Sequence, residues 1–227
     1  MTGGRGAAVA AAALLVACGR VDATGPGPSV PPRSFAMGFT PSPGAFSVEA
    51  VDFAWSVVGR DGDLVLLHFD DGVPWEEALA GAPYTHDAEL RDQARRLPPG
   101  HAVYVAATPL SFLRDGLAPR RGVAGREPLR APWAGRALDD PDVVTAFGNY
   151  CLNLIARFSP RYFAYAIEAN MLAEFSPSQW PAFLRLAPQV YARVKAAHPT
   201  LPVFVTLQVE FVQIGRASCR ERVYVLV

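Results

Sequence analysis

Five short apolar runs that alternate with amphipathic segments constrain the fold of this chain more than any other feature. The runs cover residues 35–40, 64–69, 102–107, 162–167 and 202–207. Near-continuous apolar strands separated by amphipathic helices are typical of parallel sheets that helices cover. The sequence therefore predicts an α/β fold built on a parallel sheet.

Capping signals predict where several of the intervening helices begin. Ser47 and Asp140 are good N-cap residues, and Asp140 precedes a proline in the usual order. Ser176 and Gln179 have the spacing of a capping box, and a further helix is predicted at 87–97. The inner face of the helix after Asp140 is predicted to hold Val144, Phe147, Cys151, Ile155 and Phe158.

Two architectures fit this alternation, a doubly wound sheet and a TIM barrel. No Gly-rich phosphate-binding turn follows the first run, which disfavours a dinucleotide cofactor. Polar and aromatic residues follow several of the runs, where a barrel places its active site. We therefore expect residues 34–213 to form a (β/α)8 TIM barrel truncated after about its fifth strand, with no cofactor.

The second run ends in three titratable residues, His68, Asp70 and Asp71. Residues two apart on a strand point to the same side, so His68 and Asp70 are predicted to reach a ligand together. We interpret all three as substrate-binding residues. The alternative is that an aspartate caps the following turn and that His68 is a satisfied core residue.

A long connection, residues 108–138, shows no clear periodicity. Such loops are uncommon and often functional. Arg114, Asp115 and Trp133 lie in it, and Trp75 precedes it. We predict that Trp75 and Trp133 stack on sugar rings, although packing explains each of them equally well.

The fourth run leads into Glu168, with Asn170 two residues further on. A carboxylate that follows an apolar strand is costly to bury without a partner or a role. At this point the chain resembles the glycoside hydrolases of clan A, especially endo-galactanase-like barrels, whose fourth strand ends in Asn-Glu. The resemblance implies that Glu168 is the general acid/base. Ile167 stands where that family has Asn, and Asn170 would take over its contact with the sugar.

A glycosidase needs two carboxylates, one to protonate the leaving oxygen and one to attack the sugar or activate water. In the resembled clan the second carboxylate lies on strand seven, for which this chain has no counterpart. Glu210 is a late carboxylate that we expect to line the site, with a structural role as the alternative. We therefore expect the 227-residue chain not to turn over substrate, and its intact parent to act on an extracellular polysaccharide.

Two other functions stay open. The stretch from Phe69 to Gly72 resembles the first motif of metal-dependent polysaccharide deacetylases, in which two aspartates serve as base and metal ligand. Those enzymes also carry a His-x-x-x-His pair, which the four histidines here do not form, so no metal site is predicted. The second alternative is a surface lipoprotein that binds glycan without cutting it.

The first 18 residues have the organisation of a secretion signal. Arg5 precedes an apolar stretch that is too short to span a bilayer, and the stretch ends in a sequence that resembles a lipobox with Cys18 as the lipidation site. The alternative is an ordinary signal peptide with an incidental cysteine. Residues 19–33 are rich in Gly and Pro and predict a tether. We expect an exported lipoprotein of the bacterial cell envelope, anchored to the membrane by lipid.

Residues 214–227 resemble one reading frame of a common sequencing adapter, and we expect this tail to be non-native; a polar loop and a strand are the alternative. The formal net charge is zero, so nothing favours nucleic acid as a partner. Of the three cysteines, Cys18 is the proposed lipid site and Cys219 lies in the tail. Cys151 is then left without a disulfide partner, and we predict that it is buried in the core.

Overall fold

Five parallel strands form the central sheet of residues 34–209, which are the residues that the computed structural model describes. The strands along the chain are β1 (Gly38–Phe39), β2 (Leu64–Phe69), β3 (Ala102–Ala107), β4 (Arg120–Gly122), β5 (Gly125–Glu127), β6 (Tyr162–Ala166) and β7 (Val203–Val205). The sheet has the order β1-β2-β3-β6-β7, and all its pairs are parallel. Strands β4 and β5 form a separate antiparallel hairpin. The predicted α/β class with a parallel sheet is thus confirmed.

Helices occupy most of the connections between these strands. They are α1 (Val48–Asp61), α2 (Trp75–Ala80), α3 (Asp87–Arg96), α4 (Pro141–Phe158), α5 (Asn170–Phe175) and α6 (Trp180–Ala197). Ser47 Oγ accepts a hydrogen bond from the Ala50 amide at 3.2 Å, and Asp140 Oδ1 accepts one from the Asp142 amide at 2.9 Å. These two predicted N-caps are therefore confirmed, and each satisfies an amide that the first helical turn leaves free.

The main core lies between the sheet and the helices. Val65, Leu67 and Phe163 point from the strands into it, and Phe147 and Cys151 meet them from α4. Burial raises the pKa of the Cys151 thiol, and this cysteine is free and buried, as predicted. Of the five residues predicted for the inner face of α4, four are buried, namely Phe147, Cys151, Ile155 and Phe158, and Val144 is partly buried.

The opposite face of the sheet is also apolar. A second, smaller cluster joins buried side chains with partly buried ones: Leu66, Tyr104, Ala106, Ala164, Ile167 and Phe204. Five of the six lie on β2, β3, β6 and β7, and Ile167 directly follows β6. Because the strands are apolar on both faces, they read in the sequence as continuous runs rather than as alternating patterns.

Gly72 allows the chain to turn sharply where β2 ends. Its φ is +110°, and a Cβ atom there would lie 2.6 Å from the Pro119 carbonyl oxygen. The hairpin approaches at this point because the Val73 amide donates to the Pro119 carbonyl at 3.0 Å and the Arg121 amide donates to the Val73 carbonyl at 3.0 Å. Only glycine meets both requirements without strain.

Several local predictions were wrong. The first strand is only two residues long, and Phe35 is exposed. The side chain of Ser176 caps no helix: it precedes a 3-10 turn at Pro177–Gln179, and α6 begins only afterwards at Trp180. The connection 108–138 contains the β4–β5 hairpin, whose short charged strands carry no apolar periodicity.

Candidate functional site

Three charged residues meet at the carboxyl ends of neighbouring strands. Asp70 follows β2, Arg114 lies in the connection after β3, and Glu168 follows β6. Strands β2, β3 and β6 are adjacent in the sheet, so parallel pairing brings all three connections to one edge. We call Asp70, Arg114 and Glu168 the strand-end cluster.

Arg114 is the centre of the strand-end cluster and is buried. Its Nη1 donates to Asp70 Oδ1 at 2.9 Å and its Nη2 donates to Oδ2 at 2.8 Å, a bidentate pair. The carbonyl oxygens of Ser111 and Phe112 accept from Nη1 at 2.9 and 3.3 Å. Arg114 also has a φ of +56°, which a side-chain-bearing residue adopts only where its surroundings impose it.

Glu168 shares this guanidinium group. Arg114 Nη2 lies 3.2 Å from Glu168 Oε2, and the Glu168 side chain is 35% exposed, against 10% for Asp70. Because both oxygens contact the same Nη2, at 2.8 and 3.2 Å, they are at most about 6 Å apart. The two carboxylates therefore form a close pair in which only Glu168 has substantial access to solvent.

The backbone of Glu168 is held by Thr206, the residue directly after β7. Glu168 has a φ of +51°, and its amide donates to Thr206 Oγ1 at 3.0 Å. Asn170 continues this connection: its Nδ2 donates to the Gln208 carbonyl at 3.0 Å and its Oδ1 accepts from the Gln208 amide at 2.8 Å. Both polar atoms of the Asn170 side chain are thus bound to the backbone of Gln208, so in this structure Asn170 fixes the connection that carries Glu168.

The two adjacent aspartates point to different partners. Asp70 faces the buried Arg114, whereas Asp71 is largely exposed and pairs with Arg126 Nε at 3.1 Å. His68 is exposed, and its side chain makes no hydrogen bond among residues 34–209, although its backbone pairs with β3. Of the three predicted substrate-binding residues here, His68 and Asp71 are accessible, and Asp70 is a buried ion-pair partner.

The two tryptophans predicted to bind sugar are packing residues in this structure. The rings of Trp75 and Trp133 are buried and stack on each other, with centroids 5.4 Å apart. Trp75 Nε1 also donates to the Ala118 carbonyl at 2.9 Å. Neither indole has an exposed ring face for a sugar, because the connection 108–138 folds back over Trp75.

Arg114 is the functional candidate that sequence reasoning missed as a site residue, since it was noted only as part of the long connection. The signal was indirect: two carboxylates at the ends of buried strands require a cation or a hydrogen-bond donor nearby. Two other predicted residues, Glu210 and the lipidation site Cys18, lie outside the described residues, as does the tail 214–227.

Within residues 34–209, no group of three or more His, Cys, Asp and Glu side chains is arranged to hold a metal ion. In the same range, no helix combines the length and the apolar character needed to cross a membrane. The chain is thus an α/β protein with an arginine-bridged carboxylate pair at the carboxyl edge of its sheet. Comparisons with protein-family models, curated proteins and solved structures find no match.

Proposed function

We propose that this chain forms the first five strands of a (β/α)8 barrel that cleaves glycosidic bonds, with Glu168 as the acid/base group. The strand order supports the barrel, because β1, β2, β3, β6 and β7 lie side by side in chain order. A doubly wound sheet reverses its order at a switch point, and no reversal occurs among the described strands. A closed barrel requires the uniform order.

The observation that carries the catalytic proposal is the position of Glu168. It follows a sheet strand at the carboxyl edge, where barrels place their active sites. Its backbone is fixed by Thr206, its side chain is oriented by Arg114, and about a third of that side chain stays exposed. A carboxylate held in this way can exchange a proton with a glycosidic oxygen, which is the task of the acid/base residue.

Asp70 does not serve as the second carboxylate of the reaction in this proposal. It lies at most about 6 Å from Glu168, but both its oxygens are bound by Arg114 and its side chain is largely buried. Asp70 therefore orients Arg114, and Arg114 orients Glu168. The group that attacks the sugar or activates water belongs, as the resemblance implies, to a later strand of the barrel.

A non-catalytic glycan-binding protein is the second candidate, and one contact favours it. Glu168 Oε2 lies against the Arg114 guanidinium at 3.2 Å. Arg114 is buried and its Nη atoms are already bound, but the guanidinium holds Glu168 in place, and the partly exposed Glu168 carboxylate is a fixed acceptor for sugar hydroxyls. A deacetylase is not favoured, since Asp70 and Asp71 are each paired with an arginine.

Hydrolysis by the product of the complete gene tests the proposal. We expect release of reducing sugar from at least one of a panel of polysaccharides that includes galactan. Glu168→Gln should lower the rate by about 10²–10⁴-fold, the usual contribution of general acid–base catalysis. Glu174→Gln is the matched control, because Glu174 is exposed on the adjacent helix α5 and should leave the rate unchanged.

Two results would contradict the catalytic proposal. Full activity in the Glu168→Gln protein would remove Glu168 from the reaction. Binding of a polysaccharide without any hydrolysis by the complete protein, lost in Glu168→Gln and retained in Glu174→Gln, would establish the glycan-binding alternative.

Lipid anchoring is part of the same proposal, because a membrane-tethered protein of the cell envelope meets extracellular polysaccharide. Cys18 would carry the lipid. Labelling with a radioactive fatty acid in a bacterial host should mark the wild-type protein and fail to mark the Cys18→Ala variant. Equal labelling of the two proteins would exclude Cys18 as the attachment site.

A further inference from the structure

A small polar cavity lies apart from the strand-end cluster, between the end of β2, helices α3 and α4, and the β4–β5 hairpin. Its volume is about 60 Å³, and it is lined by residues that include Gly72, His86, Glu89, Gln93, Arg121 and Tyr150. His86, Glu89 and Gln93 recur at helical spacing, so one face of α3 provides most of its polar wall.

His86 is the feature of this cavity that requires an explanation. The residue is only 4% exposed, and neither ring nitrogen has a hydrogen-bond partner within residues 34–209. The ring stacks on Tyr84 at 5.7 Å between centroids, which covers one ring face but leaves the nitrogens at the ring edge unpaired. Gln93 Oε1 is a second buried atom without a partner. Buried polar groups in folded proteins are almost always hydrogen-bonded to protein or to ordered water.

The charges around the cavity decide what kind of occupant it favours. Arg121 is bound to Glu89 and to the Gly122 carbonyl, at 2.8 Å for the latter. Asp71, at the rim, is paired with Arg126 at 3.1 Å. Each charged side chain that lines the cavity thus has an opposite charge beside it. A neutral occupant fits this balance, whereas an anion or a cation would be left without a counter-charge.

We propose that this cavity binds one or two water molecules, which pair with the ring nitrogens of His86 and with Gln93 Oε1. The volume agrees with this number, since each water molecule occupies about 30 Å³ in the liquid. A neutral imidazole offers one donor and one acceptor, which point in different directions, so each pairs with a separate water molecule. Gln93 Oε1 and the polar side chains of Glu89 and Arg121 in the lining supply the further partners that buried waters usually have.

A high-resolution crystal structure of the full chain tests this site. We expect electron density for a water molecule within about 2.7–3.2 Å of a His86 ring nitrogen, the usual length of such a hydrogen bond. The His86→Phe variant should lose that density, because phenylalanine has no polar atom. The matched control is His198→Phe, which changes a histidine at the end of α6 outside the cavity and should retain the water.

His86→Gln keeps the test decisive if the phenylalanine variant does not fold, because its amide can replace the imidazole as a hydrogen-bond partner and should retain the water. Two outcomes would overturn the proposal. One is a wild-type cavity without density, or with His86 turned to bond a protein group. The other is anomalous scattering from the cavity after a bromide soak, which would show that the site takes an anion.

Discussion

Replacing Arg114 with methionine should destabilise the fold strongly, because it leaves Asp70 without a cation. The Asp70 side chain is only 10% exposed, and both of its oxygens are bound by the guanidinium group. Removing one partner of a buried ion pair usually costs about 3–5 kcal/mol. Glu168 adds little to this, since its side chain is 35% exposed and water can replace the lost contact. We expect the free energy of unfolding to fall by about 3–5 kcal/mol.

A double-mutant cycle with Asp70→Asn distinguishes the loss of the ion pair from the loss of packing around Arg114. Asp70→Asn removes the charge and keeps the shape, so Arg114→Met combined with Asp70→Asn should lose clearly less stability than the two single losses added together. Urea unfolding followed by tryptophan fluorescence measures all of the variants. Arg185→Met is the control, because Arg185 is 60% exposed in its pair with Asp139 and such pairs contribute at most about 1 kcal/mol.

Two outcomes would refute this reasoning about the strand-end cluster. If Arg114→Met is no more destabilising than Arg185→Met, the buried pair does not hold the connection after β3 in place. If the losses of the two single variants simply add, Arg114 stabilises the fold through contacts other than the one with Asp70.

Three further predictions concern other buried positions. Burial and, next, the charge of Arg121 lower the pKa of His86 to about 4. The unfolded chain takes up this proton near its ordinary pKa of 6.5, before the folded chain does. Acid therefore favours unfolding, and the free energy of unfolding should be constant above pH 6.5 and fall by about 3 kcal/mol between pH 6.5 and pH 4. Urea titrations at several pH values should show this slope in the wild type and not in His86→Phe. Cys151 should resist alkylation by iodoacetamide at pH 8 until urea unfolds the chain, because burial raises its pKa, and peptide mass spectrometry would reveal any modification of the native protein. Gly72→Ala should lower the free energy of unfolding by about 2 kcal/mol or more, whereas Gly81→Ala, which also has a positive φ but no atom within 4 Å of the added carbon, should cost about 1 kcal/mol; equal losses would show that the contact with the Pro119 carbonyl is not limiting.

The central strands were the most predictable part of this fold. The bounds predicted for β2 and β3, 64–69 and 102–107, agree with the structure, because each run is largely apolar and polar residues flank it. The start of α4 was equally clear, since Asp140 and the proline after it both favour a helix start. Signals of this kind are local, so they can be read from the sequence without knowledge of tertiary contacts.

The hairpin was not predictable from local signals. Strand β4 consists of Arg-Arg-Gly and β5 of Gly-Arg-Glu, neither of which resembles a strand by composition. Arg120 binds Glu127 across the hairpin at 2.8 Å, and it also binds Glu76 at 3.1 Å and Glu77 at 2.6 Å, which lie more than forty residues earlier in the chain. The same folding back of this connection buries Trp75 and Trp133, and sequence alone does not distinguish a buried aromatic in a loop from an exposed one.

The candidate site was predictable in part. Glu168 and Asp70 stood out because polar residues directly follow apolar strands. The bridging role of Arg114 was not visible, because it depends on a left-handed backbone at Arg114 and at Glu168, a conformation that neither residue type favours on its own.

The attachment of Glu168 to the end of the sheet has a consequence for how this protein is synthesised. Its amide is held by a residue 38 positions further along the chain, and Asn170 is held by Gln208 at the same separation. A ribosome adds residues one at a time from the amino terminus, so β1 to β6 are all translated before these partners exist. A nascent chain arrested before β7 and Gln208 emerge would therefore hold Glu168 through Arg114 alone, without the last strand of the sheet or the two anchors that follow it.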